Sequence, residues 1–90
     1  MPTALPGADL VEQGLVDLSE RRETAASLLV SIGATRLASV GFEVVDPFED
    51  PEHRLYALLA TDDPDSAHGR YNALVRRLVS FERAAECAAR

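Results

Sequence analysis

Apolar residues in the first part of the chain recur by threes and fours. Val11, Leu15, Leu18, Ala25, Leu29 and Ile32 form one stripe, broken only where Arg22 falls on it. A second stripe, Ala26, Val30, Gly33, Leu37 and Val40, starts halfway along, so the later turns should be apolar over a wider arc and more deeply buried. Together the stripes predict one long helix over residues 9–40. Thr24 offers an alternative, since residues 19–23 contain no strongly apolar side chain and a break near Arg21 and Arg22 would let Thr24 cap a new helix. The single helix is the reading adopted. Gly41 stands where a left-handed residue closes a helix, and Phe42 follows where a side chain folds back onto the last turn.

After a connection through Val44, Val45 and Asp46-Pro47, one start signal occurs twice, as Asp50-Pro51-Glu52 and Asp63-Pro64-Asp65. Each combines an acid at the cap, proline at the first helical position and an acid in the first turn. The first opens a short helix, 51–61, carrying Leu55, Leu58 and Leu59. The second opens a long helix, 64–88, whose seam of Ala67, Tyr71, Leu74, Leu78, Phe81, Ala85 and Ala88 steps by fours and threes. Asp63 is expected to accept a backbone N–H bond, and Leu74, Leu78 and Phe81 to lie in the core. Pro2, Pro6 and Gly7 mark residues 1–8 as a frayed arm, leaving 9–90 as one domain.

The fold class is therefore all-α: three helices, long, short and long, the long ones antiparallel and the short one plugging one end. At about 1.5 Å per residue the long helices span ~45 and ~38 Å, against ~15 Å for the short one. Apolar seam is left over, and a second copy completing a four-helix bundle would cover it. Composition agrees, with 6% aromatic residues, no Trp and a core to be built from Leu, Val and Ala.

Charge adds an asymmetry. Residues 1–65 hold 13 acids and 4 Arg, residues 66–90 hold 2 acids and 5 Arg, and the net charge is −6. Bulk nucleic-acid binding is disfavoured; self-association or a charged partner is favoured. The single Cys87 cannot form an internal disulfide, no signal core precedes the domain and no apolar run has membrane length. A cytoplasmic location without membrane contact is expected.

Candidate chemistry is sparse. His53 and His68 fall in the first turns of the last two helices, and Asp65 with His68 makes one i, i+3 pair, too few ligands for a metal site. Ser66 beside His68 is only sequence proximity, Cys87 sits among alanines, and the five glycines form no phosphate loop. Neither catalysis nor a cofactor is expected. Gly33 is expected to mark a close helix crossing, or else a kink. Arg70, Arg76, Arg77 and Arg83 are the candidate contacts to a partner or to phosphate. On a wheel Arg76 and Arg83 share one face and Arg70 and Arg77 another, an arrangement expected to bracket the apolar seam as the flanks of a helix pairing do.

The function expected is a non-catalytic protein–protein interaction module, a small acidic regulator or accessory subunit with a protein partner still to be identified. An antitoxin covering a basic toxin site is an analogy for it and no more. The alternative is a nucleic-acid-binding regulator using the arginines across a dimer. A small metal carrier or enzyme built on His53 and His68 ranks third.

Overall fold

A computed structural model describes residues 5–88, and among these every regular element is helical. Five helices follow in order: α1 Ala8–Ser19, α2 Ala25–Ile32, α3 Ala34–Ser39, α4 Pro51–Asp62 and α5 Ala67–Ala88. The molecule measures 40 × 25 × 22 Å.

The long first helix does not exist as one rod. It is divided into α1, α2 and α3, and the first break falls at the polar segment where Thr24 was the alternative start. α1 closes with Arg21 in the left-handed region (φ 58°). Arg22 N donates to Asp17 O at 2.8 Å and Arg21 N to Leu18 O at 3.0 Å, the paired closing bonds of a Schellman motif. Thr24 then opens α2 through a capping box, Thr24 Oγ1 accepting from Ser27 N and Ser27 Oγ from Thr24 N. The reason is burial. With no apolar side chain in residues 19–23 to hold a continuous helix on a core, the chain doubles back and sets the α1 stripe against α2.

α2 becomes the centre. All six residues from Ala26 to Ser31 are buried, and α1, α4 and α5 pack on it. Gly14 permits the α1 contact, because a Cβ there would stand 2.3 Å from Ala26 O and 2.7 Å from Val30 Cγ1. Gly33 separates α2 from α3 and also lies under α5, where a Cβ would be 2.8 Å from Glu82 Oε2 and 3.1 Å from Leu78 Cδ1. Both readings of that glycine, a crossing and an interruption, hold at once.

Gly41, at φ 98°, ends α3 as expected, with Phe42 N donating to Leu37 O at 3.0 Å. The Phe42 ring meets Phe81 edge to face at 5.3 Å. Leu78 and Phe81 are core residues, 2% exposed each, and Leu74 packs half-buried against them.

The two proline start signals behave differently from each other. α4 begins at Pro51, but Asp50 is left-handed and its side chain makes no cap bond. α5 begins at Ala67, three residues later than expected, because residues 64–66 form a turn. Asp63 does accept a backbone N–H, from Asp65 at 3.2 Å, while the first helical bond of α5 runs from Arg70 N to Ser66 O. The frayed arm falls partly on residues 1–4, outside the described residues. Within residues 5–8, Leu5 packs on the core, and Gly7 (φ 79°) lies so close to Arg77 O that a Cβ would be 2.9 Å from it.

Candidate functional site

The four arginines of α5 separate into two pairs. Arg70 Nη1 bonds Asp62 Oδ2 at 2.7 Å and Arg77 Nη2 reaches Asp9 Oδ1 at 3.3 Å, so each is neutralised by an acid of α4 or α1. They border a crevice of about 280 Å³ floored by Ala25, Leu59, Ala73 and Leu74. Arg76 and Arg83 are exposed and have no acidic partner among the described residues. At about 100° per residue they lie on the side of α5 opposite the Leu74–Leu78–Phe81 seam. Only Arg70 and Arg77 therefore flank the core seam, and the four do not form one basic stripe.

A larger feature lies beyond the seam. Between α3 and α5 runs a groove of about 490 Å³, floored by Ile32, Gly33 and Leu78, walled by Val75 and Val79, and edged by Thr35, Arg36 and Ser39. Glu82 lies in it with its side chain only 4% exposed. Arg36 Nη1 stands 3.5 Å from Glu82 Oε1, an ion-pair distance without a hydrogen bond, while Arg36 gives its hydrogen bonds to Glu86 Oε1 at 2.9 and 2.5 Å. Burial pushes the Glu82 carboxyl above the ordinary carboxylate range; Arg36 opposes the shift and Glu86 adds to it.

Asp17 is the opposite case. It is 5% exposed and accepts hydrogen bonds from Thr24 Oγ1 at 2.7 Å, Arg22 Nη2 at 2.8 Å and Gln13 Nε2 at 2.9 Å. These bonds, that of Thr24 foremost, hold its carboxyl below the usual range. It fastens the end of α1 to the start of α2 and is structural.

The histidines do not converge on a site. His68 Nε2 lies 3.2 Å from Asn72 Nδ2 and its ring meets Tyr56 at 6.5 Å, and both His53 and His68 are exposed. Among the described residues no group of three or more His, Cys, Asp or Glu side chains is gathered for a metal. Cys87 is an exposed free thiol. No helix there is long and apolar enough to cross a membrane.

Comparison with known protein families, with curated proteins and with solved structures finds no match for this chain. Its chemistry is therefore read from its own residues. Sequence reasoning missed Asp17, Gly14 and Glu82. Glu82 carried a signal, continuing the Val75 and Val79 spacing on the side of α5 next to the core seam. Asp17 carried a fainter one in its i+5 and i+7 partners Arg22 and Thr24.

Proposed function

We propose that this chain is a non-catalytic protein-interaction module, a small acidic regulator or accessory subunit that works in the cytoplasm as a homodimer and docks a further protein. The leftover apolar seam on both long helices favoured a dimer; the packing of α1 on α2 covers the first helix's share, while Val75 and Val79 of α5 stay half-buried. The reading rests on the α3/α5 groove, an apolar-walled concavity that holds a buried carboxyl and is edged by Arg36, with Arg76 and Arg83, unpaired among the described residues, further round α5. Apolar centres with charged edges are the make-up of protein interfaces. The acid-rich loop around Glu43, Glu49 and Asp50 favours a basic protein as the further partner. Light scattering at micromolar concentration is expected to give twice the 9.7 kDa chain mass. A monomer mass for folded protein would remove self-association from this reading.

The alternative, nucleic-acid binding, is favoured by Arg76 and Arg83 alone, since Arg70 and Arg77 are already paired. So few phosphate contacts on a chain of net charge −6 would give weak, strongly salt-dependent binding. Titration of a labelled DNA duplex at physiological salt is expected to show none, and saturable micromolar binding lost in Arg76→Ala would reverse the order of the two readings.

A further inference from the structure

We infer that the second copy sits on the α3/α5 groove with its α5 parallel to the first, so that Arg83 of each chain enters the groove of the other and meets Glu82. This rests on the self-association proposed above and adds its surface, direction and register.

The argument starts from the angular order of side chains on α5. With Val79 set at the centre of a face, about 100° per residue puts Arg76 and Arg83 roughly 40–60° to one side and Val75 and Glu82 as far to the other. Asn72 and Glu86 lie close to the centre line. The face thus has Val79 at its middle between Asn72 and Glu86, a basic flank whose arginines are without acidic partners among the described residues, and a flank whose Glu82 carboxyl is buried in a groove. Such a face is complementary to itself, as a two-fold interface requires.

Direction follows from the same geometry. When two copies of one helix pair antiparallel about Val79, like flanks meet: Arg83 faces Arg76 of the partner, and Glu82 faces Val75. When they pair in parallel and in register, opposite flanks meet, and Glu82 lies beside Arg83 of the other chain on both sides of the axis. The parallel arrangement removes an arginine–arginine contact and brings Glu86 opposite its own copy, each carboxylate held by its Arg36. It also sets a second cation beside Glu82, whose own partner Arg36 stands 3.5 Å away without a hydrogen bond. Arg36 leaves room for it, because its own hydrogen bonds go to Glu86 and draw that carboxylate towards α3. The groove, at about 490 Å³, is open enough to admit a guanidinium and part of its stem.

Parallel pairing makes every centre-line residue face its own copy, and this gives the test. In a Cys87→Ser background, Asn72→Cys, Val79→Cys and Glu86→Cys are each expected to form disulfide-linked dimers under mild oxidation, with unchanged circular dichroism. Arg83→Glu, at an exposed position, is expected to weaken dimerisation at least tenfold by light scattering while leaving the fold intact. Cross-linking confined to Val79→Cys would establish the antiparallel arrangement and overturn the inference. A dimer mass with none of the three cross-linking, or undiminished by Arg83→Glu, would also overturn it while leaving self-association standing. A monomer at all concentrations would remove both.

Discussion

At the scale of single residues, the two buried acids respond to pH in opposite senses. The carboxyl of Asp17 is held low by its three donors, so its stabilising contribution is present above the ordinary carboxylate range and is lost as pH falls through that depressed value. Asp17→Asn should therefore lower the melting temperature at pH 7, with the difference from the parent narrowing as the pH is taken into the acid range. The carboxyl of Glu82 is raised by burial, so its contribution is greatest in acid and falls as pH rises through the raised value. Melts of Glu82→Gln and the parent, at protein concentrations below any pairing, should shift in favour of the variant as pH rises from the ordinary carboxylate range towards neutrality. A third residue effect is steric. Gly14→Ala raises helix propensity, yet its methyl would meet a carbonyl oxygen at 2.3 Å, and the expected outcome in urea titration is a net loss of about 1 to 3 kcal/mol.

At the scale of elements, the junction between α1 and α2 decides the architecture. Arg21 is left-handed without being glycine, which costs about 1–2 kcal/mol of backbone strain. Its side chain offsets this by bonding Asp46 O at 2.6 Å and stacking 4.5 Å from the Phe48 ring, which anchors the connection between α3 and α4. Arg21→Ala and Arg21→Gly lose those contacts alike, but only glycine relieves the strain. Thermal or urea unfolding should find the glycine variant more stable than the alanine variant by about 1 kcal/mol. Equal stabilities would mean that the strain is not relieved there. The closing turn at Gly41 was legible in the sequence because only one residue type suits φ 98° at low cost. The turn at Arg21 was not, because arginine there carries no such signature.

At the scale of the whole molecule, stability depends on packing around α2, with α5 sealing one side. Phe81 is 2% exposed and locked against Phe42, so Phe81→Ala should cost roughly 3 to 5 kcal/mol from a total of roughly 5 to 15 kcal/mol. In a domain of this size that is a fall in melting temperature of at least about 12 °C. A variant melting like the parent would show that α5 is not part of the cooperative core. The surface ion pairs, including Arg70 with Asp62 and Arg77 with Asp9, should each contribute well under that amount, since both partners remain in water.

By itself the sequence determined the all-helical class, the end of α3 at Gly41, the proline at the start of α4 and the apolar seam of α5. Each of these depends on local chemistry: periodicity, a positive φ, a missing N–H. The tertiary structure decided where the first stripe breaks, because a periodic apolar pattern reads the same whether its turns lie on one rod or on two helices folded against each other. It also decided which charges matter. Four arginines look alike in sequence, yet folding placed Asp62 beside Arg70 and Asp9 beside Arg77, and left Arg76 and Arg83 exposed on the side of α5 away from the core seam. Glu82 became a buried carboxyl only because Gly33, about fifty residues earlier, lets α5 approach the α2–α3 junction closely enough to take it out of water.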